Sequence, residues 1–338
     1  CDLVLRGGYA SGCPLLGRSL DPSLTRIFGA GTLFPGITLS VNDSLEIDGL
    51  SFEHTSGIRL LSAGDQTQTP KPITVRRSLF TNNIMGLEVR STHHDVRIEN
   101  NLILDSIGFD GNRHDGLAVV HDAPASAPIS VDVLFNTVLG NARALLIKGG
   151  GPFASVPRVQ NNILRSDASG TVDMAYSLFI ESVQVAATNN VWGVRVFSNG
   201  GAFSTDLLNV FADPQLDANL IPLAGSPALN SGTDFVAGGV PATDHDGGPR
   251  TVGSLPDRGA LESAISDIDT LVVTSTANSG AGTLRQAIID SNQTVNAERI
   301  EFNLGPASGC PYSIPVTSPL PAVTSPLTID GFSQAGSS

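Results

Sequence analysis

Short stretches in which apolar and polar residues alternate recur along residues 44–200. Residues 72–75, 96–98 and 130–133 each place a β-branched side chain at every second position. A two-residue period is typical of a strand that buries one face, whereas a helix would repeat about every 3.6 residues. The pattern therefore predicts strands and disfavours a helical repeat.

A polar corner and a further apolar residue follow these stretches. Asparagine pairs stand at 100–101, 161–162 and 189–190, and Asn tolerates the left-handed backbone conformation that a sharp corner needs. The apolar residues after the corners recur in steps of 29, 23, 36, 25 and 28 residues, and they are Leu50, Leu79, Leu102, Val138, Ile163 and Val191. Periods of about 20–50 residues are typical of solenoid proteins.

These features predict an all-β fold, a right-handed parallel β-helix (solenoid) in which each strand pairs with its equivalents in neighbouring coils. We expect Ile98, Leu102 and Ile163 to point into the interior and the corner asparagines to line up. A β-sandwich is the alternative, because it also has short strands and Asn or Gly turns. No Asn-Gly pair stands at these polar corners, which favours the solenoid over a fold built from hairpins.

The pattern divides the chain into four parts. Residues 1–204 are predicted to form a β-helix that begins within a coil. Residues 205–262 are rich in Asp, Pro and Gly and are expected to close its end, because the last coil would otherwise expose unpaired strand edges. Residues 263–270 are predicted to be a linker, and residues 271–338 the start of a second β-helix.

One short capping helix is predicted near residues 283–292. Thr283 is the expected N-cap, and Gln286 stands three residues later as its capping-box partner. The apolar stripe of this helix consists of Leu284, Ala287 and Ile288. Strands are predicted around it at residues 299–302, 312–314 and 326–331.

Composition and charge limit the partners. The formal net charge of −13 disfavours a nucleic-acid partner, since phosphates attract basic proteins. No apolar run approaches the roughly 18 residues of a membrane span.

A disulfide between Cys1 and Cys13 is feasible and would leave Cys310 unpaired, but the sequence leaves the pairing open. Because the chain begins without Met, we expect it to be part of a longer, exported polypeptide.

Several motifs after the repeat carry a family resemblance. The motifs are Asp213-Pro214, residues 225–228, residues 244–250 and residues 257–262. They resemble the closing segment of bacterial right-handed parallel β-helix surface proteins of the choice-of-anchor type, and residues 274–292 with 328–331 are similar to the opening of another such β-helix. The resemblance implies an extracellular or cell-surface location, and relatives with this fold include polysaccharide lyases and glycoside hydrolases.

Loop residues between 93 and 122 carry candidate chemistry. The catalytic candidates are His94, Asp110, Arg113, His114, Asp115, His121 and Asp122. If these loops project on one side, a carboxylate, a cation and an imidazole could meet, as cleavage of a glycosidic bond or proton abstraction beside a uronate requires. The Gly-His-Gly signature of polygalacturonase-like hydrolases is absent, which counts against catalysis.

Asp244 and Asp246 are the candidate metal ligands. They resemble part of a Ca²⁺ loop, but the bidentate Glu at the required spacing is missing. A structural turn is therefore the favoured interpretation, no other cofactor is expected, and a Ca²⁺-stabilised spacer is a further alternative.

The sequence thus predicts a non-catalytic β-helix module of a bacterial cell-surface protein, acting as a stalk or as an adhesin that binds an extracellular polysaccharide or surface glycan. The alternative is a polysaccharide lyase or glycoside hydrolase that uses the loops of residues 93–122.

Overall fold

The computed structural model describes residues 3–6, 25–28, 38–41, 43–55, 58–62, 69–91, 93–106, 115–121, 128–166, 176–193, 195–293, 298–309 and 311–337. Contacts between residues divide the chain into two compact units, Cys1–Ala264 and Ile265–Ser338. The boundary falls within residues 263–270. Cys1, Cys13 and Cys310 lie outside the described residues.

Three sheets build the first unit, and every third strand belongs to the same sheet. Sheet A consists of Leu3–Arg6 (β1), Leu45–Asp48 (β4), Lys71–Arg76 (β7), His94–Glu99 (β10), Val131–Leu134 (β13), Arg158–Gln160 (β16), Gln184–Thr188 (β19) and Ala202–Leu207 (β22). Sheet B consists of Arg26–Phe28 (β2), Ser51–Glu53 (β5), Leu79–Thr81 (β8), Leu102–Leu104 (β11), Thr137–Asn141 (β14), Ile163–Ser166 (β17), Val191–Trp192 (β20) and Val210–Phe211 (β23). Sheet C consists of Thr38–Val41 (β3), Ile58–Ser62 (β6), Leu87–Arg90 (β9), Asp115–His121 (β12), Arg143–Gly149 (β15), Tyr176–Glu181 (β18) and Arg195–Asn199 (β21).

Neighbouring strands within these sheets pair in parallel, as between β7 and β10 and between β12 and β15. A chain that visits sheets A, B and C in turn and stacks each strand on its equivalent is a parallel β-helix, so the predicted fold class is confirmed. The β-sandwich is excluded, because its sheets are antiparallel. The right-handed sense remains the expectation of the crossover rule.

The interior is filled by columns of aliphatic side chains in register. Ile47, Val75, Ile98, Val133 and Val159 are Cα partners from strand to strand, and each has 0% exposure. Burial of one such side chain contributes about 1.5–3 kcal/mol to folding. The column that contains Ile98 therefore stabilises the stacking of successive coils, as predicted.

Leu102 and Ile163 differ from the prediction, because they face outward. The next residues along these strands, Ile103 and Leu164, belong to the interior core, and alternate side chains of a strand point to opposite faces. Leu102 is nevertheless buried, since it packs against Ala260 and Leu261, and Ile163 packs against Ala228. The apolar residues that were aligned from the sequence are also shifted by one position at two corners. Leu79 pairs with Ser51 instead of Leu50, and Leu102 pairs with Thr137 instead of Val138.

Residues 213–262, which we name the strap, lie along the side of the solenoid. Asn100 Nδ2 donates to Thr243 O at 2.8 Å, and Asn189 Nδ2 donates to Ser231 O at 3.4 Å. In contrast, Leu208 in the last coil is 71% exposed. Residues 205–262 are predicted to close the end of the solenoid. The part of them that forms the strap packs on outward Leu and Ile side chains of sheet B.

The second unit contains a parallel sheet of Asp269–Val273 (β24), Glu298–Phe302 (β25) and Leu327–Asp330 (β26). Its helix, Leu284–Ser291 (α1), packs Ala287 and Ile288 against Val273 and Ile300. Residues 312–314 form no strand, and short 3-10 turns cover Ala307–Gly309 and Gly331–Ser333.

Thr283 is the N-cap of this helix as predicted, since its Oγ1 accepts from Gln286 N at 3.2 Å. The other half of the capping box is not formed. Gln286 Nε2 donates instead to Asp290 Oδ1 at 2.8 Å, one turn further along the helix. Within the described part of the chain, no helix is long and apolar enough to cross a bilayer.

Candidate functional site

A repeated two-residue corner joins sheet A to sheet B. Its first residue has a left-handed backbone, and these residues are Gly49, Arg77, Asn100, Phe135, Asn161, Asn189 and Leu208. At the first of these corners the second residue is the apolar Leu50. At the other six it supplies a polar side chain, and these residues, which we name the corner ladder, are Ser78, Asn101, Asn136, Asn162, Asn190 and Asn209. The expected alignment of corner asparagines is thus present.

The corner ladder satisfies the backbone inside the turns. Asn136 Oδ1 accepts from both N and Nδ2 of Asn101 at 3.0 Å, and Asn136 Nδ2 donates to Ile98 O at 2.8 Å. Asn136 and Asn101 have 0% exposure. Buried amides that use donors and acceptors in this way hold the corners together and are not available to a ligand.

A second ladder joins sheet B to sheet C. Asn83 Oδ1 accepts from Thr55 N at 2.9 Å, and Asn141 Oδ1 accepts from Ser106 N at 2.8 Å. Asn82 and Gly140, which precede the two asparagines, have positive φ. The same geometry therefore recurs at a corner that the sequence analysis did not include, although Asn82 and Asn83 are also an asparagine pair.

His94 begins strand β10 and has 0% exposure. Its Nε2 atom lies 2.8 Å from Asp43 O, and its backbone N donates to Ser91 Oγ at 2.9 Å. Burial lowers the pKa of His94 below its ordinary value, while the carbonyl of Asp43 acts in the opposite direction. This buried imidazole, bound to a backbone carbonyl, stabilises the connection from sheet C to sheet A.

His121 ends strand β12 and also has 0% exposure. Its Nδ1 atom lies 2.6 Å from Ser91 O, and its Nε2 atom lies 2.9 Å from Pro152 O. His93 packs edge-on against His94, with ring centroids 5.8 Å apart. The structure thus gathers three histidines around Ser91, in the interior of the fold.

Asp115 lies at the opposite end of β12 from His121. Six residue steps along an extended strand separate them, roughly 20 Å. Arg143 Nε and Nη2 donate to the two carboxylate oxygens of Asp115 at 2.5 and 2.8 Å. Asp115 is therefore part of an ion pair on sheet C and does not join the histidines.

The remaining four catalytic candidates lie outside the described residues, and they are Asp110, Arg113, His114 and Asp122. Their role stays a prediction.

Asp244, the first metal candidate, organises a turn of the strap. Its Oδ1 accepts from Asp246 N at 3.1 Å and from Gly248 N at 2.9 Å, while its Oδ2 accepts from Glu262 N at 3.0 Å. Both carboxylate oxygens therefore bind backbone amides. Among the residues that the structure describes, no group of three His, Cys, Asp or Glu side chains could hold a metal ion.

A buried charged cluster fixes the strap. Arg250 is 1% exposed, donates from Nη2 to Glu262 Oε2 at 2.7 Å, and lies 5.0 Å above the ring of Phe135. Asp257 accepts from Asn230 N at 2.6 Å and from Ser263 N at 2.7 Å. Burial, followed by the nearby charge of Glu262, raises the pKa of Asp257 to about 6.

Between the strap and sheet B lies an open groove of about 820 Å³, which we name the strap groove. Its polar side chains include Arg165, Asp213, Gln215 and Asp217. Arg165 Nη1 lies 3.2 Å from Asp213 Oδ1. The backbone N–H of Gln215 and then Arg165 lower the pKa of Asp213, so this carboxylate is a hydrogen-bond acceptor at neutral pH.

The sequence analysis missed this groove. The two-residue alternation of β17 places Arg165 on the same outward face as Ile163, but nothing local indicates that the strap returns to that face. Gly193 leaves room for the arginine, since a Cβ there would lie 2.4 Å from Arg165 Cγ.

Comparison of the chain with protein-family models, with curated proteins and with solved structures gives no match. The fold assignment therefore rests on the strand pairings, and the function on the chemistry of the residues.

Proposed function

We propose that this chain is an exported, non-catalytic β-helix module of a bacterial cell-surface protein, which serves as a stalk or as an adhesin for surface glycans. The observation that carries the proposal is the corner ladder, because a side-chain network that links successive coils makes a stiff support. The bacterial and extracellular parts of the proposal derive from the resemblance of the strap motifs.

The dimensions suit a spacer. Eight strands stack in sheet A, and at a spacing of about 4.8 Å they extend over roughly 34 Å. From Ser78 to Asn190 each ladder residue donates its backbone N–H to the side-chain Oδ1 of the next ladder asparagine, up to Asn209. The ladder bonds run along the stack, so they resist separation of the coils.

The absence of catalysis is supported by how the described candidates are used. His94 and His121 are buried against backbone carbonyls, and Asp115 binds Arg143. A general acid or base must reach the substrate proton, and these imidazoles are enclosed. The lyase or hydrolase alternative therefore depends on Asp110, Arg113, His114 and Asp122, which lie outside the described residues.

The test combines binding with turnover. The whole chain is applied to a glycan array and to immobilised polysaccharides, and in parallel it is incubated with uronate and neutral polysaccharides. We expect no increase in ultraviolet absorbance from unsaturated products and no new reducing ends. Product formation that is lost in His114→Ala, in a variant that circular dichroism shows to be folded, would overturn the proposal in favour of the enzyme.

A further inference from the structure

The strap groove has the polar groups that a saccharide needs. Arg165 presents N–H donors, and its side chain is 47% exposed. Asp213, with a side chain that is 62% exposed, presents a carboxylate acceptor, and Gln215 adds an exposed carboxamide with both a donor and an acceptor. Sugar hydroxyls both donate and accept, so these groups complement them.

The groove also has apolar walls. Leu139 on sheet B and Leu216, Leu220 and Leu223 on the strap line it. Small-molecule sites occupy about 300–1,000 Å³ and combine apolar walls with a few polar groups. A volume of about 820 Å³ falls in this range and can hold several sugar rings.

The charge of the groove selects among saccharides. Among the described residues that line it, the charged ones are Arg165, Asp213 and Asp217, one cation against two anions. Arg165 is already paired with Asp213, so a uronate or sulfate group would meet a net negative charge on the described lining residues, whose one cation is already engaged. A neutral saccharide meets no such repulsion.

A glycine and a carboxylate-capped turn keep this arrangement open. Gly193 leaves space for the Arg165 side chain, because a Cβ would lie 2.4 Å from its Cγ. Asp217 Oδ1 accepts from Asn219 N at 2.8 Å and from Ile221 N at 2.9 Å. The turn of the strap that forms one wall is thereby fixed before any ligand arrives.

We infer that the strap groove binds a neutral oligosaccharide, with Arg165 and Gln215 donating to sugar oxygens and Asp213 accepting from sugar hydroxyls. This inference rests on the adhesive form of the proposed function and assigns its site. It concerns the outer face of sheet B.

The test measures binding of short neutral gluco-, manno- and galacto-oligosaccharides to the whole chain by saturation-transfer NMR and calorimetry, with the matching uronate oligomers as a second panel. Arg165→Gln and Asp213→Asn are the groove variants. Because this pair is exposed, its loss costs little stability, and circular dichroism verifies the fold. Lys148→Gln is the matched control, since Lys148 forms a half-buried pair with Glu181 on sheet C.

We expect a neutral oligosaccharide to bind, affinity to fall about tenfold or more in each groove variant, and the control to bind like the wild type. Equal binding by wild type and groove variants would overturn the site while the adhesive function stands. Preferential binding of uronates would overturn the charge argument. If no sugar binds, the groove inference and the adhesive role both fail, and only the stalk role is left.

Discussion

Asn161 and Thr233 bind each other through two hydrogen bonds: Asn161 Nδ2 donates to Thr233 O, and Thr233 N donates to Asn161 Oδ1, both at 2.8 Å. The carbonyl of Asn161 also accepts from Gly259 N at 2.7 Å. One corner residue therefore holds the strap at two positions.

Replacement of Asn161 should separate its two roles. Asn161→Gly keeps the left-handed backbone but loses both side-chain bonds, so it should cost about 2 kcal/mol. Asn161→Ala should cost about 1 kcal/mol more, because a Cβ is unfavourable at φ 58°. Urea unfolding of the whole chain measures both, and a glycine variant as stable as the wild type would contradict the role of the side chain.

The corner ladder predicts a larger loss from its centre. Asn136→Ala removes the partners of Asn101 N and Ile98 O, and each buried group left unsatisfied costs about 1–3 kcal/mol. We expect a loss of about 3 kcal/mol or more. Asn219→Ala is the control, since Asn219 is exposed and should change stability by less than about 0.5 kcal/mol. Similar losses in both variants would show that the ladder has no special role.

Two glycines of the strap allow a test of close packing. Gly259 and Gly239 have φ of 98° and 84°, but a Cβ on Gly259 would lie 2.6 Å from Ile163 Cδ1, whereas a Cβ on Gly239 meets no atom within 4 Å. Both alanine variants carry the backbone cost of about 1 kcal/mol. Gly259→Ala should lose about 1–3 kcal/mol more through overpacking, and limited proteolysis should cleave its strap faster. Equal stabilities of the two variants would refute the packing of the strap on Ile163.

Asp257 predicts a pH dependence with a definite sign. Its folded pKa of about 6 exceeds the ordinary value of 3.8, so its contribution to stability is fully present below pH 3.8 and is lost as the pH rises through about 6. Glu262, whose pKa burial also raises, acts in the same direction. His94 acts in the opposite direction, because its lowered pKa gives stability above its ordinary value of 6.5 that is lost at lower pH.

The measurement is the melting temperature between pH 4 and 7 for the wild type and Asp257→Asn. The stability of the variant relative to the wild type should rise as the pH rises through 6, even though the amide loses one acceptor for Asn230 N or Ser263 N. Asp269→Asn, an exposed position of the second unit, should leave the profile unchanged. Parallel profiles for Asp257→Asn and the wild type would contradict the prediction.

The fold was largely predictable because its signals are local. The alternation around Ile98 and the asparagine pair at 100–101 each specify a strand or a corner without knowledge of the rest of the chain. The corners at Arg77, Phe135 and Leu208 were less visible, since these residues adopt the left-handed backbone although their side chains do not favour it. There the stacked strands impose the turn.

The strap groove could not be predicted in the same way. Arg165 and Asp213 are 48 residues apart, and their meeting depends on the strap returning along sheet B. The outward Leu102 and Ile163 were a possible signal, because apolar residues on both faces of a strand indicate that both faces are covered. Their outward direction was instead missed, since burial alone does not distinguish the two faces.

The strap gives this solenoid a property that a plain repeat array lacks. In an array each coil touches only its neighbours, so it can open from one end, coil by coil. Here Arg77 and Asn100 contact Thr243 while Asn189 contacts Ser231, so one segment fastens coils far apart in the stack. When the first unit is pulled from its ends, its coils should therefore not detach one by one. The whole unit should unfold cooperatively, in a single mechanical step.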